Sequence, residues 1–263
     1  MGIHSCVDAG LLLKFAEMKT QKNSNCVGLC TTCLVDQVFP QVGVAATRLL
    51  HRAGFQVEFP KEQTCCGQPF YNSGFQREAK QLARRTIEIF EDYQAVVLPS
   101  GSCTSMIRQE YEHLLGEDIG WRERARNMAA KTYELTEFLV AKTNLEVSSP
   151  VDGETITYHD SCHMNRKLGI KEEPRKLLRQ AGFRIKEMEE SDRCCGFGGL
   201  FSVHMPEVSQ AMTEEKLLQA RQTKSAVLVS SDPGCLMHMK SALGDDKSIQ
   251  VKHIAEILVE VTA

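Results

Sequence analysis

The chain has 263 residues, 42% hydrophobic and 25% charged, with a formal net charge of -3; this is globular composition with apolar mass for one large core or two small ones. The charge balance offers no basic face to a polyanion, which argues against nucleic acid as a partner, and no apolar run approaches the roughly 18 residues that cross a bilayer, so no direct membrane insertion is expected. Eleven cysteines without a secretory signal argue against a disulfide scaffold and for reduced, cytoplasmic thiols that serve metal or redox chemistry.

Residues 1–25 read as an N-terminal extension, an added helix or tail. Their apolar patch at 9–15 lacks the basic start and cleavage site of a signal peptide, and Cys6 is incidental. A β-rich run at 26–32 then leads to Cys33. Cys26, Cys30 and Cys33 spell Cys-x₃-Cys-x₂-Cys, the spacing with which radical S-adenosylmethionine enzymes hold a cluster. Against that reading, Thr32 stands where an aromatic is usual, only Cys33 has a counterpart downstream, and no (β/α)₈ pattern follows. Cys26 and Cys30 are therefore expected to be small buried residues of the first strand and its end.

Helical spacing of apolar residues follows at 44–53 and 75–90, separated by the adjacent pair Cys65-Cys66 and Gly67. A strand at 95–98 precedes Cys103, and residues 116–131 add a charged helical stretch around Trp121, a candidate partner surface. Its charge run at 122–126 reads as a solvated face. After a helix at 134–142, the polar stretch 144–154, with Pro150 and Gly153, predicts a linker. The second half runs through a strand at 155–161, Cys162, a helix at 174–181, the pair Cys194-Cys195 with Gly196, a helix at 208–218, a strand at 226–229, Cys235 and a helix at 253–261. His159 and His163 bracket Cys162 and read as parts of a polar loop at a strand end; Arg166 and Lys167 read as a solvated helix start.

The cysteines reveal an internal repeat. Thirty-one residues separate Cys33 from Cys65, and thirty-one separate Cys162 from Cys194, so the two sets superimpose at an offset of 129. Cys103 and Cys235 are offset by 132, which a three-residue insertion in the second half explains. The expected architecture is α/β: two similar cysteine-rich halves, residues 26–145 and 154–263, each with a mostly parallel sheet. In such sheets ligands gather beyond the carboxyl ends of the strands, where the repeated thiols fall.

Each repeat thus offers four thiols: Cys33, Cys65, Cys66 and Cys103 in the first, Cys162, Cys194, Cys195 and Cys235 in the second. Four thiolates suit a [4Fe-4S] cluster, in which each iron needs one external ligand. They would also suit zinc, but structural zinc ligands usually arrive as two pairs spaced by two to four residues, unlike the strictly adjacent pair here. The glycine after each pair is expected to relieve crowding against an inorganic core.

These motifs, together with Thr32-Cys33-Leu34-Val35-Asp36, Cys65-Cys66-Gly67-Gln68-Pro69, Ser100-Gly101-Ser102-Cys103, Cys194-Cys195-Gly196-Phe197-Gly198-Gly199 and His253-Ile254-Ala255-Glu256, resemble the cysteine-rich CCG-domain iron-sulfur proteins. That group includes subunits of heterodisulfide reductase, glycolate oxidase and anaerobic glycerol-3-phosphate dehydrogenase, and the resemblance is strongest to its lactate utilization protein A family. It implies a cytoplasmic electron-transfer subunit of a multi-subunit system that oxidises L-lactate to pyruvate, inactive alone. The implied partners are a ferredoxin-like iron-sulfur subunit and a third small subunit; the implied cofactors are one or two [4Fe-4S] clusters on the eight cysteines. The wider family often closes each motif with Cys-x-x-Cys, whereas Met106 and His238 stand here, so a cubane is expected over the noncubane clusters of heterodisulfide reductase. Met106 is read as core packing and His238 as a donor behind the ligands. No flavin or nicotinamide fingerprint is evident. The alternatives are a zinc-stabilised interaction module, a metal-free thiol-disulfide enzyme, and a CCG subunit of another thiol or 2-hydroxy acid oxidoreductase.

Overall fold

The computed structural model describes residues 25–143, 145 and 151–262. Cys6, the apolar patch at 9–15 and most of the linker lie outside the described residues.

β-Branched and leucine-rich runs form two four-stranded sheets. The first contains β1 (Cys26–Leu29), β2 (Gln56–Glu58), β3 (Ala95–Leu98) and β4 (Thr132–Glu134) in the order β2-β1-β3-β4. The second contains β5 (Thr155–Tyr158), β6 (Arg184–Ile185), β7 (Val227–Ser230) and β8 (Gln250–His253) in the order β6-β5-β7-β8. Every pair is parallel, and the registers correspond: Val27 faces Ala95 as Ile156 faces Val227. The repeat is therefore a repeat of topology, and parallel connections through helices bury the strands on both faces. Val96, Val97, Leu98, Leu228 and Val229 are all buried.

One hydrophobic cluster belongs to both sheets. It joins Val27, Leu49, Val97 and Phe138 of the first half to Tyr158, Leu178, Val229 and Leu258 of the second. The helices interlock across it. Helix Pro40–Arg52 packs on the last helix, Ile254–Val261, and helix Leu135–Lys142 packs on helix Glu172–Gln180. Arg52 ties the first pair, its Nη1 donating to the Val259 carbonyl at 2.6 Å and to Thr262 Oγ1 at 2.9 Å. Burying apolar area between the halves, at about 25 cal/mol per Å², holds the two sets of strand ends in a fixed relation.

Two features escape the periodicity reading. β4 and β8 are only three and four residues long, too short to show alternation. The helices after them start at Leu135 and Ile254, while Glu134 and His253 sit before them as N-caps of matching capping boxes closed by Glu137 and Glu256. The expected three-residue insertion is split: the offset is 130 between the helix N-caps Phe75 and Met205 and 132 between β3 and β7, the second-half helix being 17 residues long against 15.

The added stretch near Trp121 forms the helix Ile119–Ala130, capped by Asp118. Arg84 and Arg124 lie over the Trp121 ring at 5.0 and 3.9 Å from its centroid. Its arginines are exposed or partly exposed yet paired, Arg122 and Arg126 with Glu112 and Arg124 with Glu91. The run is thus a set of surface ion pairs rather than a free cationic face.

Candidate metal centre

All eight repeated cysteines follow carboxyl ends of strands. Cys33 opens the helix Cys33–Val38 after β1, Cys65 and Cys66 lie in the loop after β2, and Cys103 sits in the helix Gly101–Ser105 after β3. Cys162 follows β5 and precedes a π-helical turn, His163–Lys167; Cys194 and Cys195 follow β6; Cys235 sits in the helix Pro233–Leu243 after β7. Parallel strands in the same order bring residues distant in sequence to one edge.

In each set the thiols lie close enough to act on one another's ionisation, Cys33 and Cys66 on Cys65 and, equivalently, Cys162 and Cys195 on Cys194. Cys66 Sγ donates to Cys103 Sγ at 3.3 Å. The approach of Cys33, with those of Cys66 and the Gly67 N–H, pulls the Cys65 thiol down to about 3, and the equivalent neighbours pull Cys194 down to about 2. The neighbouring thiol of each is pushed up, Cys33 by Cys65 and Cys162 by Cys194. The opposed shifts within each set favour ionisation of one sulfur over its neighbours, and the thiolate is the form that binds metal. All eight residues line a single cavity of about 170 Å³.

The turn at each cysteine pair is built twice. Gly67 and Gly196 have φ of 87° and 89°, and their N–H groups donate to the sulfurs of Cys65 and Cys194 at 3.4 Å. A Cβ on Gly196 would lie 2.4 Å from the Ser209 carbonyl. These glycines thus answer to left-handed backbone and, at Gly196, to the close approach of a neighbouring helix. The carbonyl after each pair is clamped by a hydroxyl, Tyr111 to Cys66 at 2.8 Å and Thr213 to Cys195 at 2.7 Å. Thr32, beside Cys33, has φ of 71° and a buried hydroxyl without a partner among the described residues. Such backbone is strained for a β-branched residue, and strain of this kind collects at functional sites.

Cys103 and Cys235 occupy helix N-termini, whose partial positive charge favours anionic ligands. Ser100 caps the first through the Cys103 N–H at 3.3 Å, and Asp232 caps the second through Gly234 and Cys235 at 3.0 and 3.4 Å. The halves also meet here: a Cβ on Gly101 would lie 2.7 Å from Met164 Cβ, and Lys167 pairs with Glu110.

The remaining sequence candidates separate. Cys26 and Cys30 are buried, Cys26 Sγ bonding to Glu58 Oε1 at 3.4 Å. Met106 is fully buried in the core of the first half. His238 bonds to Ser209 Oγ at 3.0 Å and lies outside the thiol cavity. His163 lines the cavity, its Nδ1 3.6 Å from Cys162 Sγ. His159, expected in a polar loop, is instead fully buried behind the second set; burial pulls it down to about 4. Arg166 donates to the Asp192 carbonyl at 2.8 Å and Lys167 bridges the halves, so neither is merely a solvated helix start.

Sequence reasoning passed over Asp232, although Asp-Pro before a helix is a capping signal. It also passed over the buried bidentate pair of Arg175 with Asp160, both bonds 2.8 Å. Asp160 also accepts from Ser191 at 2.8 Å, and Arg175 reaches Glu187 at 2.7 Å, which braces the loop leading to Cys194. Soft thiols in sets of four fit metal or iron-sulfur binding.

The family model of the CCG cysteine-rich domain matches residues 27–108 and 156–240. Lactate utilization protein A of Bacillus subtilis (strain 168) is 47% identical over 234 residues, covering 88% of this chain and 98% of that protein. Lactate utilization protein A 2 of Bacillus cereus (strain AH820) is 44% identical over 236 residues, covering 89% and 98%. Among solved structures, a hypothetical protein from Helicobacter pylori superimposes with a TM-score of 0.68 at 9% identity, covering 91% of this chain and 49% of that one; the likeness is one of fold.

Proposed function

The chain belongs to the CCG cysteine-rich domain family and, within it, to the lactate utilization protein A proteins, and from that premise we propose that it is an iron-sulfur electron-transfer subunit of a multi-protein L-lactate oxidation system. The observation that carries the reading is the pair of matched four-thiol sets lining one cavity. In it, Cys33, Cys65, Cys66 and Cys103 hold one [4Fe-4S] cluster and Cys162, Cys194, Cys195 and Cys235 another, one for each repeat, 26–145 and 154–263. Such clusters supply one-electron redox chemistry when bound.

The chain's own residues then have defined work. Cys65 and Cys194, whose thiols are pulled down by their neighbours, are the sulfurs of each set most readily present as thiolates. The N–H groups of Gly67 and Gly196 and the helix ends at Cys103 and Cys235 offset the negative charge of the sites. The interlocked helices fix the distance between the two sets. The partners in this reading are a ferredoxin-like iron-sulfur subunit and a third small subunit, in the cytoplasm; among the described residues no helix is long and apolar enough to cross a membrane.

The test is iron and acid-labile sulfide quantitation on anaerobically purified protein. Four irons and four sulfides for each loaded set are expected for cubanes. Stoichiometric zinc without sulfide, or reversible dithiol oxidation in metal-free protein, would replace the reading with one of the alternatives above.

A further inference from the structure

The two cysteine-pair loops face equivalent helices, Gln76–Phe90 and Pro206–Gln222, of unlike chemistry. The Ala79 N–H donates to the Phe75 carbonyl at 3.0 Å and the Ser209 N–H to the Met205 carbonyl at 2.9 Å. A Cβ on Gly67 would meet the Ala79 carbonyl, and one on Gly196 the Ser209 carbonyl, so Ala79 and Ser209 hold the same place in the two repeats. Along the same face follow Ala83 and Thr86 in the first half, Thr213 and Lys216 in the second, all buried. The first face thus offers two alanines and an uncharged hydroxyl. The second grips its loop along its length: Ser209 Oγ donates to the Gly196 carbonyl at 2.8 Å, Thr213 Oγ1 to the Cys195 carbonyl at 2.7 Å, and Lys216 Nζ to the Glu190 and Ser191 carbonyls at 2.6 and 3.3 Å. A buried ammonium bonded only to neutral carbonyls is costly unless an anion stands nearby. Burial pulls Lys216 down to about 8, and the charge that most resists this is that of Cys195. The other charges around it are engaged or exposed: Asp160 is bound by Arg175, Arg193 pairs with Glu190, and Asp192 faces solvent. Asp232 accepts from N–H groups at the helix ends of both sets, Ser102 and Cys235, so its charge weighs on both.

We propose that Lys216 is a positioning residue for the second centre alone: it holds the loop that leads into Cys194 and Cys195 and sets behind that centre a buried positive charge that stabilises its reduced form. The proposal rests on the reading that each thiol set holds an iron-sulfur cluster. Reduction adds one negative charge to a cluster, and in an interior of low dielectric a fixed cation nearby lowers the energy of that charge. Net charge at a cluster is one of the quantities that set its potential. The first centre lacks the counterpart, since Thr86 stands where Lys216 does. The second centre therefore has the higher potential, and a single electron shared between the two resides on it.

The experiment is a redox titration of the full chain, loaded with iron and sulfide under anaerobic conditions and followed by paramagnetic resonance of the reduced clusters. Cys66→Ser and Cys195→Ser, each keeping one cluster, assign the two signals. The signal lost in Cys195→Ser should be the one of higher potential. Lys216→Gln should move that signal to lower potential and leave the other in place, and Lys216→Arg should restore it. Thr213→Val, which frees the Cys195 carbonyl without a change of charge, should move it less than Lys216→Gln does. An unchanged potential in Lys216→Gln, or an equal fall in Thr213→Val, would overturn the assignment. If Lys216→Gln does not retain its second cluster, the wild-type order decides: a second centre above the first supports the proposal, and equal or reversed potentials overturn it. Wild-type protein lacking iron and sulfide after loading would instead defeat the underlying cluster reading.

Discussion

Asp232 joins the two halves at the thiol cavity: its Oδ2 accepts the Ser102 N–H of the first half at 2.7 Å, while its Oδ1 caps the second-half helix that carries Cys235. One carboxylate thereby orients the helix ends that present Cys103 and Cys235. Asp232→Ala removes a cap and leaves the Ser102 N–H unpaired, so a loss of about 1–3 kcal/mol in unfolding free energy is expected. Iron retention should fall at both sets. Denaturant unfolding with iron quantitation reads both effects, and unchanged values would show that the bridge is incidental.

In the proposed reading, membership of the repeat separates ligands from ordinary buried cysteines. Cys195→Ser should remove about half of the bound iron, whereas Cys26→Ser and Cys6→Ser should leave it in place, Cys26 being engaged with Glu58 on the far side of β1. Equal iron loss in all three would mean that the 129-residue correspondence does not mark the ligands.

The fold does not depend on metal as a zinc finger does. The cluster shared by the two sheets is formed of aliphatic and aromatic residues without a cysteine, and a core of this size sustains the sheets. Mild chelation or air should therefore strip iron while the circular dichroism of an α/β protein persists. Cooperative unfolding coincident with iron loss would contradict this.

Glu134 gives a pH dependence of definite sign. Burial raises its carboxyl from 4.5 to about 8, against the opposing bonds from Thr136 and Glu137. Between those values the folded state keeps a proton that the unfolded state has lost, so its contribution is fully present below pH 4.5 and disappears as pH rises toward 8. His253, its counterpart, is pulled by burial from 6.5 to about 4, so its contribution is present above pH 6.5 and is lost as pH falls toward 4. Glu134→Gln isolates the first effect. Relative to wild type it should gain stability steadily from pH 5 to 8, at about 1.4 kcal/mol per pKa unit removed. A difference that does not vary with pH would place the proton elsewhere.

Much of this arrangement was legible in the sequence because a repeat is a long-range signal. The 31-residue spacings placed the thiols of each set in register, and alternating strand and helix patterns implied parallel sheets. Three kinds of feature were hidden. β4 and β8 are too short for periodicity and take their identity from pairing with β3 and β7. The sharing of one cavity by both sets follows from helices that cross between halves, which neither repeat encodes alone. His159 looked like a loop residue since a single histidine carries no burial signal; its equivalence to Cys30 emerges only from the paired bonds to Val229 and Val97.

Lactate oxidation itself should require partners. Converting a 2-hydroxy acid to a 2-oxo acid removes two electrons and two protons, and such chemistry usually runs through a hydride acceptor or an equivalent two-electron site. The thiol sets suit one-electron centres, and the sequence carries no dinucleotide-binding fingerprint. In the proposed reading the chain relays electrons between other groups. The helix Ile119–Ala130, with Ile119 84% exposed, is the surface proposed to meet those partners. Anaerobic lactate-dependent dye reduction by the cluster-loaded chain should be near background, rising when the ferredoxin-like and third subunits are added. Robust turnover by the chain alone would move the substrate site into the thiol cavity, where His163, beside Cys162 and lining the wall, becomes the first residue to replace.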